Sequence, residues 1–251
     1  MTEVCIPGNK RVSIIVFYKN VGMDLKGTVN EILAALKESE LTDYQVILVD
    51  DGSNDTFIDN FEVPKEKLVQ VKLKKSLGIA GAILEGTQHA LFEDILIIPG
   101  HNMYDSKAIS NVLGLVGLGR VILGSRDNLQ KERPYFKRLA SRIMRDIYRH
   151  LFYYYVGDIH GLAIYKKADI QRFLRPTDGH AQGIIVVTSV LNEGGLLVQT
   201  LAPIKLGHKI ARSRKLSNNF PNAKQVYKII SKLVFLRKIK NKKVSINQYR
   251  N

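Results

Sequence analysis

The feature that most constrains this chain is the run Val46-Ile47-Leu48-Val49, which ends in Asp50-Asp51-Gly52-Ser53. A short continuous apolar run of this kind suits a strand buried on both faces, the signature of a parallel sheet covered by helices. The polar, glycine-containing turn at its end predicts that the chain leaves the sheet there. Three more runs have the same character: Val12 to Phe17, Leu68 to Leu73 and Ile95 to Ile98. Between them, Val29 to Leu36 and Ile79 to Phe92 have helical apolar spacing, the second opened by Gly78. The order β-α-β-β-α-β predicts an α/β fold with a mostly parallel central sheet flanked by helices.

Further along, Ala108 to Leu115 reads as a helix, Arg120 to Gly124 as a strand, and Lys137 to Tyr153 as a long Arg-rich helix. Gly161 to Tyr165 and Leu196 to Ile204 read as strands, whereas Ile184 to Leu191 fits either a strand or a helix. Near the end, Val226, Ile229, Ile230, Leu233 and Leu236 recur at helical spacing among many Lys and Arg. Such a basic amphipathic helix can lie on an anionic membrane surface or cover the sheet of its own domain.

Composition narrows the classes. With 251 residues and 45% hydrophobic content the chain can bury a sizeable core, which excludes a disordered class. Cys5 is the single cysteine, so neither an intrachain disulfide nor a cysteine metal cluster can form, and a reducing compartment is expected. The sequence shows no charged leader followed by an apolar run and no uninterrupted apolar run long enough to span a membrane. A cytoplasmic, non-spanning protein is expected, with a peripheral place at the inner face of a membrane as the option its basic helix opens.

Charge is uneven: residues 1–120 hold 12 Lys or Arg against 16 Asp or Glu, leaving 26 against 7, a net +19, to residues 121–251. That half is expected to meet an anionic partner: nucleic acid, anionic membrane or a phosphorylated substrate. No nucleic-acid module or paired aromatic stacking motif accompanies the charge, so nucleic acid is set aside.

In an open parallel sheet, ligands bind beyond the carboxyl ends of the strands, where Asp50 and Asp51 are expected. A carboxylate there can accept hydrogen bonds from a nucleobase edge or a ribose. The plainer alternative is that Ser53 or Asp55 caps a helix and the paired aspartates are solvated.

Several elements in order strengthen the first reading: Val12 to Phe17 with Tyr18-Lys19-Asn20; Val49-Asp50-Asp51-Gly52-Ser53; Gly78-Ile79-Ala80-Gly81-Ala82 with Gly86; Gly124-Ser125-Arg126; and Asp158-Ile159-His160-Gly161-Leu162. On these residues the chain resembles family 2 glycosyltransferases of the GT-A fold, especially polyprenyl-phosphate sugar transferases such as dolichol-phosphate mannose synthase, over roughly residues 10–216. The resemblance implies a hexosyltransferase acting with inversion on a UDP- or GDP-sugar. Its donor residues here are Phe17, Lys19, Asn20, Leu48, Asp50, Asp51, Gly78, Gly100 and His101, with Lys209 and Lys215 in a C-terminal loop. Arg126 and Asp158 fall at positions expected to serve catalysis. The implied division is a domain over residues 1–216, with a nucleotide-binding half at 10–126 and an acceptor half at 127–216, followed by a basic extension at 217–251.

The chain also departs from the family. Where an Asp-x-Asp pair typically holds a divalent metal, it reads Pro99-Gly100-His101-Asn102, and Phe17 and Val21 replace a proline and a glutamate. Two readings follow: Mg²⁺ or Mn²⁺ held by His101 with Asp105, or a metal-independent site in which His101 donates a hydrogen bond to the diphosphate. Without a strong metal site, protein cations must stabilise the leaving diphosphate. The stretch Gly179 to Asn192, where saccharide-polymerising relatives place a general base, has no Asp or Glu, and Glu193 is the nearest acid. A polyprenyl phosphate needs no base, because its oxygen is already anionic. Arg138, Ser141 and Arg142 resemble the part of the polyprenyl-phosphate enzymes that grips that phosphate. The acceptor is therefore expected to be a phosphorylated lipid or another cell-envelope glycan. The alternative is a catalytically degenerate GT-A-like module that binds a nucleotide or serves as a scaffold.

Overall fold

The computed structural model describes residues 9–55, 60–128, 142, 146, 149, 150 and 156–205. The chain divides into two units, residues 1–129 with 158–205 and residues 130–157 with 206–251. In the second, Arg142, Asp146, Arg149 and His150 are helical and exposed, and Arg149 meets Asp146 at 3.6 Å. The expected phosphate-gripping residues Arg138 and Ser141, the donor lysines Lys209 and Lys215, and the basic extension at 217–251 lie outside the described residues.

The first unit is built on a sheet of seven described strands: β1 (Arg11–Tyr18), β2 (Asp43–Asp50), β3 (Leu68–Lys72), β4 (Asp94–Pro99), β5 (Val121–Ser125), β6 (Leu162–Lys166) and β7 (Leu197–Leu201). Their order is β3-β2-β1-β4-β6-β5-β7. Every described pairing is parallel except those of β6, which runs antiparallel to both β4 and β5. The mostly parallel sheet expected from the four apolar runs is present. Val12, Ile14, Ile15 and Val16 of β1 are all 0% exposed, which is why that strand reads as an apolar run rather than an alternation.

Helices α1 (Asp24–Lys37) and α3 (Ser106–Leu113) share a core with the Val12, Ile14 and Val16 side of the sheet. The buried residues of α1, Leu25, Thr28, Val29, Ile32 and Ala35, repeat at three- and four-residue intervals. α2 (Gly78–Gln88) covers the Ile15 side. A Cβ on its Gly86 would stand 2.8 Å from Ile15 and 3.0 Å from Val49, so only glycine lets the helix approach this closely.

Three segments are left open by the sequence or differ from expectation. The ambiguous stretch Ile184 to Leu191 is helical, within a helix spanning Gln182–Asn192 that buries every residue from Gly183 to Leu191. A helix buried all round carries no amphipathic period, so its sequence cannot be told from a buried strand. Lys167–Phe173 forms a short helix, α4, that the sequence reading did not anticipate, because only Asp169 and Ile170 are buried in it; the longer helix after it is α5. β7 is also shorter than the Leu196 to Ile204 run.

Candidate functional site

Because β1 lies between β2 and β4, the connections leave it in opposite directions, and the crevice beyond the carboxyl ends of these strands is the sheet's switch point. The loops after β1 and β2 are joined across it. Asp51 N donates to Tyr18 O at 2.8 Å, Asn20 N to Ser53 Oγ at 2.9 Å, Asn54 N to Asn20 Oδ1 at 2.8 Å, and Gly22 N to Asp55 Oδ2 at 3.1 Å. Asn20 takes a left-handed φ of 51°, which asparagine tolerates, so that both its backbone and its amide reach the neighbouring loop. This expected donor residue thus has a structural part in the crevice, while Lys19 beside it is exposed.

The paired aspartates divide their work. Asp51 accepts from Ser76 Oγ and Leu77 N, both at 2.6 Å, and from Gly78 N at 3.1 Å, tying the loop after β2 to the start of α2. Asp51 thus acts as a clamp between these two loops, and Gly78 supplies one of the clamp's donors at φ 73°. Asp50 accepts from Ser53 N through Oδ1 at 2.7 Å, and no described residue donates to its Oδ2. It stands at the end of β2, only 7% exposed. Beside it is Tyr18, which the sequence reading did not single out. Burial, followed by the charges of Asp50 and Asp55, pushes its hydroxyl up to about 12, so it stays a neutral donor. Leu48, another expected donor residue, is 1% exposed inside the core.

After β4 the chain passes through Gly100, whose N–H donates to Phe17 O at 3.0 Å and where a Cβ would stand 2.8 Å from Tyr18 Cβ. Phe17 and Gly100 therefore line up at the ends of β1 and β4, and the half-buried His101 follows directly. Asp105, the expected metal partner of His101, lies at the start of α3. Its Oδ1 accepts from Ala108 N at 2.8 Å as the N-cap of α3, which accounts for a carboxylate at that position without a metal.

Arg126 and Asp158 find each other. The guanidinium Nε and Nη2 reach the two carboxylate oxygens at 2.7 and 3.1 Å, and the side chains are only 12% and 17% exposed. His160 N adds a hydrogen bond to Asp158 at 3.0 Å, and Tyr104, 3% exposed, bonds to Arg126. Burial alone would raise the Asp158 carboxyl, but the Arg126 hydrogen bonds and charge outweigh it and hold the group down at about 2. Burial likewise works against the Arg126 charge, and Asp158 overcomes it, so the arginine is held above its ordinary value. The two residues expected to serve catalysis are thus each other's counter-ions. Close packing locks the pair in place, since a Cβ on Gly161 would lie 1.8 Å from Gly124 O and one on Gly124 2.6 Å from Ala202 Cβ.

These motifs can now be set beside known proteins. The model of Glycosyl transferase family 2 matches residues 13–174, more than half of the chain. The chain belongs to glycosyltransferase family 2. Among solved structures, it is similar to glucosyl-3-phosphoglycerate synthase from Mycobacterium tuberculosis in complex with UDP (12% identity, TM-score 0.63, covering 91% of this chain and 80% of that one). It is also similar to mannosyl-3-phosphoglycerate synthase from Rubrobacter xylanophilus (18%, 0.64, 88% and 73%). A third is a mannosyltransferase from Pyrobaculum calidifontis in complex with GDP-Man and Mn²⁺ (17%, 0.51, 77% and 55%). At these identities the likeness is one of fold.

As a glycosyltransferase, the chain invites a test of the metal reading. Among the described residues no group of three or more His, Cys, Asp or Glu side chains is placed to hold a metal ion, and Asp105 is engaged as a cap. The described residues do not fit a protein-held divalent ion. α5 starts against the Asp158 loop, where a Cβ on Gly183 would stand 2.6 Å from Ile159 O. Glu193 is not near this end: it pairs with Arg120 and Arg172, and Arg120 also grips Asp169, before the start of β5. Asp178, one residue upstream of the acid-free stretch, is 7% exposed, and its Oδ2 accepts from Arg175 N at 2.7 Å. Among the described residues no helix is long and apolar enough to cross a membrane.

Proposed function

We propose that this glycosyltransferase moves a hexose, with inversion, from a nucleoside-diphosphate donor at the ends of β1, β2 and β4 to a polyprenyl phosphate or another cell-envelope glycan acceptor. The observation that carries the donor reading is Asp50, at the switch point of a family 2 chain, with one carboxylate oxygen occupied by Ser53 N and the other without a described partner. A single open acceptor oxygen suits uracil, whose N3–H lies between two carbonyls. Guanine presents N1–H and N2–H side by side and would call on both oxygens. UDP-sugar is therefore the favoured donor.

The remaining roles follow from charge. His101 donates to the diphosphate, with Lys19 and the lysines at 209 and 215 as cations for the leaving group. Arg126 orients the crevice wall through its pair with Asp158. A phosphate acceptor attacks through an oxygen that is already anionic, which agrees with the acid-free stretch from Gly179 to Asn192. Arg138, Ser141 and Arg142 are assigned to hold that phosphate, and the basic residues of 217–251 to lie against an anionic membrane surface. The test is transfer of labelled sugar from UDP- and GDP-hexoses to polyprenyl phosphate, with and without Mn²⁺. Transfer from UDP-hexose is expected, and no turnover of any donor sinks the proposal.

One observation favours a second reading. Asp51, Asp105 and Asp158, three carboxylates expected in the site, are each committed to internal bonds. A module that binds the nucleotide without transferring the sugar fits that pattern. Saturable UDP binding without turnover across metals and acceptors would select it.

A further inference from the structure

Between Pro99 and Tyr104 the loop after β4 contains no carboxylate, yet it is held by a dense set of bonds that the donor reading leaves unused. Asn102 N donates to Thr28 Oγ1 at 2.8 Å, and Asn102 Oδ1 accepts from Lys205 Nζ at 2.6 Å. The same ammonium meets Glu31 Oε1 at 2.7 Å, and Glu31 Oε2 accepts from Ser106 N, also at 2.7 Å, in the first turn of α3. Lys205 N adds a bond to Met103 O at 2.9 Å. Lys205 thus grips the loop through its backbone and through its side chain, and Glu31 carries the grip across to α1 and α3.

The backbone has been fitted to this arrangement. Asn102 adopts a φ of 51°, a left-handed conformation that asparagine accepts more readily than most residues. A Cβ on Gly27 would stand 2.3 Å from the Asn102 amide, so the absence of a side chain at that point of α1 is what lets the amide lie there. The ion pair is sheltered as well, with Lys205 25% and Glu31 27% exposed, so solvent screens it less than a fully exposed pair. His101 sits between Gly100, fastened to β1, and Asn102, fastened to α1 and Lys205, so the backbone on both of its sides is fixed.

We infer that Lys205, acting through Asn102 and Glu31, is a positioning residue of the donor site: it fixes the loop that carries His101. The inference rests on the donor reading above. It makes Lys205 the residue that presents the histidine at 101 to the donor diphosphate. In a loop without metal-binding carboxylates, an internal ion pair takes over the task of setting the geometry.

The test compares wild type with Lys205→Met, Lys205→Arg and Asn102→Gly. Glycine suits the left-handed backbone at 102, so Asn102→Gly should fold while removing only the loop's link to the ammonium. Each protein is melted alone and with UDP or GDP, and hydrolysis of UDP-hexose is followed for KM and kcat. Lys205→Met should weaken UDP binding and raise the donor KM by about tenfold, the loss expected for a hydrogen bond to a charged group, with a smaller change in kcat. Asn102→Gly should reproduce most of that loss, and Lys205→Arg should recover part of it. Variants that melt lower but bind UDP as tightly as wild type would overturn the inference and leave Lys205 a merely structural residue. A wild type stabilised by no nucleotide would instead sink the donor reading, and the inference with it.

Discussion

Replacing Asp158 with asparagine keeps the shape of the side chain and removes its charge, which leaves the Arg126 guanidinium in a largely buried site without its counter-ion. The carboxyl is held down from 3.8 to about 2, and both side chains are less than a fifth exposed, so solvent takes away little of the interaction. A depression of that size corresponds to roughly 2.5 kcal/mol at neutral pH, and stranding the arginine brings the cost of Asp158→Asn to about 3 kcal/mol or more. In urea this is a midpoint lowered by about 1 M or more with an unchanged slope. The sign with pH is fixed. Because the folded carboxyl titrates below the unfolded one, the stabilisation is complete above 3.8 and disappears as the pH falls towards about 2. The gap between wild type and variant is therefore widest near neutrality and narrows in acid. A cost below about 1 kcal/mol, or a gap that stays constant between pH 6 and about pH 3, would refute the buried-pair reasoning.

Other perturbations probe separate parts of the unit. Gly161→Ala places a Cβ against Gly124 O and should destabilise by about 3 kcal/mol or abolish the soluble fold, read by thermal unfolding. Arg120→Met strands Asp169, which is 3% exposed, and should cost about 3 kcal/mol or more while leaving UDP affinity unchanged, because the cluster lies at the opposite end of β5 from the crevice. Asp105→Ala should cost only about 1 kcal/mol, the value of a helix cap, and should not alter the response of donor binding to Mn²⁺; a lost Mn²⁺ effect would restore Asp105 as a ligand.

The sheet was legible because its central strands are buried on both faces, so Val12 to Phe17, Val46 to Val49 and Ile95 to Ile98 announce themselves as apolar runs. Asp50 was legible for a related reason, since a carboxylate closing such a run falls at a strand's carboxyl end. What the sequence concealed was how the polar residues share partners. Asp51 next to Asp50, and Asp158 thirty-two residues after Arg126, look like free carboxylates until the backbone brings Leu77 N and the guanidinium to them. Lys205 escaped notice because its partners Glu31 and Asn102 are distant in the chain and belong to no motif. α5 was concealed by complete burial and α4 by its shortness.

The claim that this family 2 chain holds a nucleotide at Asp50 is tested most directly by titration calorimetry with UDP, GDP and their hexose conjugates, on wild type and on Asp50→Asn. Saturable binding of UDP by wild type, weakened by about tenfold or more when the open carboxylate oxygen becomes an amide, is the expected result. Equal binding by the two proteins, or no heat from any nucleotide, would contradict it.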